Sequence, residues 1–405
     1  MTITWPAIVR LTAAGAVAVG LLLGMSSAQA GMMSSLSADA SLHRMSNGEI
    51  AFDNGAGPPR LDVINPNGSG LRPLTRSCTT TTTNCVFRAI KWSPDGRKLA
   101  FLRGNAGGAR TPAHLSLFVI NADGSREKWL ARCDPSGCGA FGGSRLSWSP
   151  NGSRILFSRG GSLTVVNTRT SRLRRITTCT GLHPGSAGKK GCSDSDPAWS
   201  PDGSRTLFSR WLFSQNASEL IVMHPDGSGL RRITRPQTNG TNDSVWSPDG
   251  HSIAFDSSDR SGDRIHEVRA DGSHLSTLVS GPPGSGPGVP SWSPDATHIV
   301  FFKTPRVPRA GPGHPPAFKP EVWVMTANGT RQTRLYHSLC CIGDWGRPIW
   351  SPDGMHIAFS VTVLSRDERS LRAPKSGLFT MGADGRHLRR LVAADANELA
   401  WQPNP

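Results

Sequence analysis

Charged side chains recur at the third position before a repeated tryptophan. Around the series these positions are Ala89, Arg145, Asp196, Asp243, Val289, Arg347 and Glu398. A set of carboxylates and guanidinium groups could grip a peptide or an ion, and a carboxyl group with a shifted pKa could carry acid/base chemistry. The sequence therefore predicts a mixed-charge collar with a binding role, and we assign no catalytic residue.

Acidic residues of this collar raise a second hypothesis. Asp194, Asp196 and Asp243 could form an acidic cluster, and hard cations take carboxylate oxygens as ligands. The alternative is that these carboxylates accept backbone hydrogen bonds at the start of a strand. We predict no cofactor and no dedicated metal site, and a cation bound within the collar stays open.

The eight cysteines fall into four pairs that are close in sequence. Their spacings are not those of zinc sites or of thioredoxin-like motifs, so we predict disulfides within loops. An adjacent pair would form a strained ring and could instead be free or bridged elsewhere. The pairs are Cys78 with Cys85, Cys133 with Cys138, Cys179 with Cys192, and Cys340 with Cys341.

The N-terminus indicates export. Arg10 precedes an apolar run from Leu11 to Leu23, and Ala28-Gln29-Ala30 then fits a signal-peptide cleavage site. We predict a signal peptide over residues 1–30, a short segment over 31–47, and a mature chain that is periplasmic, on the cell surface or secreted. An uncleaved anchor is the alternative. Disulfides persist in such compartments.

Composition excludes several classes of protein. The hydrophobic fraction is 37%, below the roughly 45–50% of ordinary globular chains. Beyond the N-terminus the apolar stretches are too short and too aperiodic for a membrane bundle or a helical protein. The formal net charge of +16 favours an anionic partner outside the cell, although an arginine-rich composition alone could produce it. We expect no nucleic acid and a monomer.

The collar must be positioned by a repeat, because the pentapeptide Trp-Ser-Pro-Asp-Gly or a close variant follows each collar position. In this turn Pro fixes φ at the second position, and Asp is readily accommodated at the third. Gly then takes the left-handed conformation that completes the hairpin turn. The repeated tryptophans are predicted to be structural. They are Trp92, Trp148, Trp199, Trp246, Trp292, Trp350 and the degenerate Trp401.

Each period supplies four short β-type runs, and this pattern predicts a β-propeller. Residues 48–75 supply strands two to four of a blade, and residues 398–401 supply a first strand without successors. Joined, the two ends complete one blade. We therefore predict an all-β, seven-bladed propeller over residues 48–405, closed by pairing the C-terminal strand with the N-terminal blade, with six and eight blades as the alternatives.

The repeat resembles the TolB-type, WD40-like (PD40) propeller repeat. Its general form is D-x-x-P-x-W-S-P-D-G-x-x-I-A-F. Asp196 to Gly203 closely matches the part of this form that begins one residue before the first Pro, and so does Asp243 to Phe255. The resemblance implies a propeller fold and not the role of TolB itself. We expect the N-terminal domain of TolB to be missing here, and TolB has six blades where we count seven.

Four-stranded blades separate two faces of the ring. We define the turn face by the Trp-Ser-Pro-Asp-Gly and Asp-Gly turns. The loop face carries the cysteine pairs and the long connections at 103–115 and 303–320. Binding residues concentrate on loops held by a rigid scaffold.

The function expected from the sequence is an exported, non-enzymatic propeller that binds an envelope protein or anionic polymer through the loop face. One alternative is a lyase or glycoside hydrolase that uses Asp196, Asp243 or Glu398. Another is an accessory subunit of a separate peptidase. No G-x-S-x-G, H-E-x-x-H or Walker motif occurs.

Overall fold

The computed structural model describes residues 48–403, except 56, 79–84, 106–113, 134–144, 180–190, 236, 239, 285, 308–316, 338–341, 364–375 and 394–395. The predicted signal peptide and the segment at 31–47 lie outside this part. All regular elements in the described part are β-strands, and none of it forms a helix that could cross a bilayer.

The first four blades contain strands β1 to β16. Blade 1 begins with β1 (Ile50–Asn54), β2 (Arg60–Ile64) and β3 (Arg72–Pro73). Blade 2 has β4 (Cys85–Trp92), β5 (Lys98–Asn105), β6 (His114–Asn121) and β7 (Lys128–Arg132). Blade 3 has β8 (Leu146–Trp148), β9 (Arg154–Arg159), β10 (Ser162–Asn167) and β11 (Leu173–Arg175). Blade 4 has β12 (Cys192–Trp199), β13 (Thr206–Leu212), β14 (Ala217–Met223), β15 (Arg231–Arg232) and β16 (Gln237–Thr238).

The remaining strands form blades 5 to 7 and return to blade 1. Blade 5 has β17 (Thr241–Trp246), β18 (Ser252–Asp259), β19 (Gly262–Arg269) and β20 (Ser276–Gly281). Blade 6 has β21 (Pro287–Trp292), β22 (His298–Lys303), a small hairpin of β23 (Arg306–Val307) and β24 (Ala317–Phe318), β25 (Glu321–Thr326) and β26 (Thr333–His337). Blade 7 has β27 (Ile342–Trp350), β28 (His356–Val363), β29 (Gly377–Gly382) and β30 (Arg389–Val392), and β31 (Leu399–Trp401) follows.

Consecutive strands pair antiparallel in every blade, and the order in blade 1 is β3-β2-β1-β31. The last strand therefore completes the first blade, with Ile50 opposite Trp401 and Phe52 opposite Leu399. In blade 4 both β15 and β16 pair with β14. The seven-bladed ring predicted from the repeats, and its closure by the C-terminal strand, are confirmed.

The repeated turns are held by the same hydrogen bonds in successive blades. In blade 2 the Ser93 hydroxyl donates to Asp95 Oδ1 at 2.6 Å and accepts from the Lys98 amide at 2.9 Å, while Gly96 has φ 66°. The Ser200–Asp202 turn of blade 4 has the same Ser–Asp hydrogen bond. The hydroxyl of Ser200, and the hydroxyl and amide of Ser204, donate to Asp202 and lower its pKa to about 2. The Asp of this motif therefore has a structural role.

The apolar core lies between the blades. The described residues form seven clusters of buried side chains, and each joins two neighbouring blades. Both faces of a strand contribute, since Ile50 and Phe52 pack toward blade 7 whereas Ala51 packs toward blade 2. Such burial on both faces explains why the second strand of each blade is almost continuously apolar in sequence.

Several repeated tryptophans also make a polar contact between blades. The indole N–H of Trp148 donates to Lys91 O at 3.1 Å, and that of Trp350 donates to Ser291 O at 3.1 Å. Each acceptor directly precedes the tryptophan of the previous blade. The equally buried Trp292 lacks such an acceptor among the described residues.

This difference predicts unequal costs for the same substitution. Trp148→Phe loses an inter-blade hydrogen bond, whereas Trp292→Phe removes a buried N–H for which the described part of the chain offers no acceptor. Both changes remove the same ring volume, so we expect Trp148→Phe to cost about 1 kcal/mol more in the free energy of unfolding. Urea denaturation of both variants measures the difference, and equal losses would contradict the prediction.

Candidate functional site

A cavity of about 530 Å³ lies on the axis of the ring. First strands of all seven blades contribute to its wall, which includes the collar residues Ala89, Arg145, Asp243, Val289, Arg347 and Glu398. Its apolar lining includes Val245, Ile349 and Leu399. The described lining contains no histidine. This cavity is the candidate binding site because it brings charged side chains from separate blades into one enclosed space.

A β-bulge aims the collar residues in most blades. The register of the first strand shifts across the collar position in blades 2, 4, 5, 6 and 7. Ala89, Asp196, Asp243 and Val289 take positive φ values of 50° to 58° there. A bulge breaks the ladder and re-aims a side chain. The collar residues of these blades thus lie within the first strand, while Arg145 and Glu398 directly precede their strands.

Two arginines converge on one carboxylate inside the cavity. Arg145 and Arg347 both form ion pairs with Asp243, and all three side chains are about one-fifth to one-quarter exposed. The guanidinium groups also reach backbone oxygens, from Arg145 to Ser244 at 3.4 Å and from Arg347 to Pro290 at 3.3 Å. The collar is therefore bridged across the axis by side chains of blades 3, 5 and 7.

Asp196 lies beside this bridge, but one of its carboxylate oxygens accepts no hydrogen bond from the described residues. The residue is 2% exposed, and its Oδ1 is 3.7 Å from Arg145 Nε with no hydrogen-bond partner among the described residues. Oδ2 accepts from the Ser195 hydroxyl at 3.4 Å. Burial raises the pKa of Asp196 to about 6 despite the opposing charge of Arg145.

Two further acidic residues, Asp53 and Glu398, lie where the C-terminal strand closes the ring. Asp53 Oδ1 accepts the amides of Asn397 and Glu398, both at 2.8 Å. Burial raises the pKa of Asp53 to about 7, although these hydrogen bonds oppose the shift. Burial also raises the pKa of Glu398, whose carboxylate accepts from the Ala89 amide.

Lys91 and Asp256 are charged groups that the sequence argument missed. Lys91 lines the cavity and its side chain is exposed to solvent there. The protein that surrounds its ammonium group, and then the charge of Arg145, lower the pKa of Lys91. Burial raises the pKa of Asp256 to about 6, and its carboxylate accepts from the Val289 amide at the next bulge. The sequence could have predicted the place of Lys91, because the residue directly before each repeated tryptophan lies on the first strand that carries or directly follows the collar position.

The hypothesised acidic cluster is not assembled in the described structure. Asp194 is fully buried and is bound by Arg210, with contacts of 2.7 and 2.9 Å. Asp196 and Asp243 face Arg145 instead. Ligand atoms of Cys179, Cys192 and Asp194 lie close together, but the two sulfurs are joined and do not offer thiolates to a metal.

Two of the predicted disulfides are confirmed. Cys78 is bonded to Cys85, and Cys179 is bonded to Cys192. Each joins the connection after the fourth strand of one blade to the first residue of the next blade's first strand, on the loop face. Cys133 is also disulfide-bonded. The remaining candidates, Cys138, Cys340 and Cys341, lie outside the described residues.

Fold and site together define a seven-bladed β-propeller with a charged axial cavity. Residues 172–309 match the PD40 family, described as the TolB beta propeller domain. The resemblance drawn from the repeated pentapeptide is thereby confirmed.

Curated bacterial proteins are similar to this chain in sequence. The uncharacterized peptidase YuxL of Bacillus subtilis is 27% identical over 55% of this chain and 30% of its own length. The uncharacterized protein Atu1656 of Agrobacterium fabrum is 29% identical over 40% of this chain and 52% of its own length. The chain thus spans about a third to a half of these relatives.

Solved structures of other bacterial proteins share the fold. TolB from Acinetobacter baumannii superposes with a TM-score of 0.51 at 15% identity, over 93% of this chain and 72% of that one. Oligogalacturonate lyase from Vibrio parahaemolyticus superposes with a TM-score of 0.55 at 13% identity, over 86% of each chain. At these identities the likeness concerns the fold alone.

Proposed function

We propose that this protein is an exported, non-enzymatic binding propeller. It engages an envelope protein or an anionic polymer through the loop face and the axial cavity behind it. The observation that carries the proposal is the bridge of Arg145, Asp243 and Arg347 across the cavity. Charges paired in this way recognise an ionic group, whereas a catalytic acid or base must be open to its substrate.

Two further features support this proposal. The disulfides at Cys78–Cys85 and Cys179–Cys192 fasten loops on the loop face, and such bonds persist in oxidising compartments outside the cytosol. The formal net charge of +16 draws anionic partners toward the molecule. Rigid loops around a charged opening are a common basis for recognition.

A crosslinking pulldown tests the proposal. Mature protein, residues 31–405, is incubated with the native envelope fraction at low salt and at about 1 M salt, where the Debye length falls to ~3 Å. We expect one protein to be retained at high salt. Recovery of anionic polymer alone, lost at high salt, would limit the binding to general charge attraction. Capture of nothing in either condition would overturn the proposal.

Matched variants locate the binding surface. The double change Arg145→Gln and Arg347→Gln removes both cavity guanidinium groups and should lower recovery about tenfold, a loss of about 1.4 kcal/mol in binding. The control is Arg97→Gln with Arg205→Gln, because both arginines are exposed in turn-face hairpins. Equal recovery from the two double variants would exclude the cavity from binding.

A second candidate function is a propeller lyase or glycoside hydrolase. Asp196 favours it, since this carboxyl has a pKa raised to about 6 and an oxygen with no hydrogen-bond partner among the described residues. The structural neighbour oligogalacturonate lyase suggests acidic oligosaccharides as the first substrates to assay. Turnover that Asp196→Asn abolishes would support this function, and no turnover by the unmodified protein would remove it. A peptidase recovered in the pulldown would instead indicate an accessory subunit.

A further inference from the structure

Arg145 and Arg347 reach Asp243 from blades that are not adjacent to its own. Arg145 belongs to blade 3, Asp243 to blade 5 and Arg347 to blade 7, so both guanidinium groups cross the axial cavity. Two guanidinium groups around one planar carboxylate is an arrangement that proteins use for carboxylate ligands.

We propose that this bridge is a carboxylate-binding site that the protein's own Asp243 occupies, and that a carboxylate of the ligand displaces it. The inference rests on the proposed binding function and names the chemical class of its ligand. In the described residues the Asp243 carboxylate has no other hydrogen-bond or ion-pair partner than these arginines. Its displacement therefore breaks no further polar contact.

The backbone conformation at Asp243 does not by itself require a carboxylate. Its φ is 50°, in the left-handed region that is costly for most residues. Val289 occupies the equivalent bulge of the next blade, with φ 58°, and also lines the cavity without a charge. The bulge geometry does not require a carboxylate, so the charge at Asp243 calls for an explanation of its own.

A second observation comes from Asp196, which shares Arg145 with Asp243 but is not itself part of the cavity lining. Asp196 is 2% exposed, its Oδ1 has no hydrogen-bond partner in the described part of the chain, and Arg145 is shared between it and Asp243. Buried carboxylate oxygens normally accept a hydrogen bond. A ligand that carries an N–H or O–H donor beside its carboxylate would supply one. Lys91 adds a third cation to the same cavity.

The first experiment titrates citrate, which carries carboxylates and a hydroxyl, into mature protein by calorimetry. Asp243→Gly empties the site and accommodates the positive φ, whereas Val289→Gly makes the same backbone change without altering charge. We expect Asp243→Gly to bind citrate about tenfold more tightly than either the unmodified protein or Val289→Gly. Adding Arg347→Gln should cancel the gain. Sulfate at equal ionic strength is the comparison anion, and an equal gain with sulfate would overturn the assignment to carboxylates, because guanidinium groups also pair with tetrahedral oxyanions.

The design includes a variant that keeps the side-chain volume. Asp243→Asn tolerates positive φ and removes the charge, so it should also gain affinity if Asp243→Gly does not fold. Tricarballylate lacks the hydroxyl of citrate and should bind more weakly if Asp196 accepts that hydroxyl.

Equal citrate affinity in the Asp243 and Val289 variants would overturn the inference, as would a gain that survives Arg347→Gln. Citrate binding as expected, with an empty pulldown, would preserve the carboxylate site and remove the envelope-binding proposal.

Discussion

Deletion of residues 399–405 is expected to abolish cooperative folding of the ring. The deletion removes β31, whose residues Leu399, Ala400 and Trp401 are 5 to 8% exposed. They belong to two clusters, since Ala400 packs between blades 1 and 2 whereas Leu399 and Trp401 pack between blades 7 and 1. We call the closure of the ring at blade 1, where the two chain ends pair, the seam. One short strand, β31, therefore joins the two sides of this seam.

The size of this effect follows from the groups that lose their partners. Burial of a large apolar side chain contributes about 1.5–3 kcal/mol, so Leu399 and Trp401 together account for roughly 3–6 kcal/mol. The deletion also removes the Ala400 carbonyl that accepts from Trp92, and it opens the edge of β1. Domains are stable by only about 5–15 kcal/mol, so this loss approaches the whole free energy of unfolding.

Urea denaturation followed by tryptophan fluorescence measures the outcome. A chain that lacks only residues 404–405 keeps β31 and serves as the control. A peptide of residues 397–405 should restore folding in trans by adding the missing strand to the open edge of β1. An unchanged transition in the longer deletion would show that the seam does not limit stability.

The repeat made the fold predictable because its signals are local. Turn chemistry is contained in five consecutive residues, and the tryptophan that ends each first strand marks the position of a blade. The split first blade was recognisable because residues 48–75 lack a preceding turn motif and residues 398–401 lack successors. Closure then follows from the need to pair β1 with a strand.

The partners within the site were not predictable in the same way. Asp194 and Asp196 are two residues apart and would share one face of a regular strand. The bulge between Ser195 and Ala198 separates them, so that Asp194 binds Arg210 while Asp196 faces Arg145. Contacts across the axis join blades that are distant in sequence. Linear spacing therefore places residues on the collar but does not select their partners.

Asp53→Asn should stabilise the ring near neutral pH and flatten the dependence of its stability on pH. The carboxyl of Asp53 has a pKa of about 7 in the folded state, against an ordinary value of 3.8 for aspartate, because burial disfavours its charged form. Between these values the folded state binds a proton that the unfolded state has released. Stability is therefore highest at the acidic end of this range, falls as pH rises from about 4 to about 7, and then levels off.

Asn retains the side-chain oxygen that accepts the Asn397 and Glu398 amides, but it never ionises. The raised pKa of Asp53 changes the free energy of unfolding by on the order of 4 kcal/mol between the two ends of this pH range. That value is the upper limit of the stabilisation by Asp53→Asn. Denaturation at intervals from about pH 5 to about pH 8 measures it. Asp196 and Asp256, with pKa values raised to about 6, add slope of the same sign that the variant keeps.

Asp202→Asn is the matched control because its carboxyl is shifted in the opposite direction. Hydrogen bonds from Ser200 and Ser204 lower the pKa of Asp202 to about 2, so the stability that its charge contributes is present above about pH 4 and is lost only as pH falls toward 2. Its substitution should lower stability by a constant amount from about pH 5 to about pH 8 and leave the slope unchanged. If Asp53→Asn also left the slope unchanged, the seam carboxyl would have to be ionised throughout that range. The raised pKa that burial gives it would then be wrong.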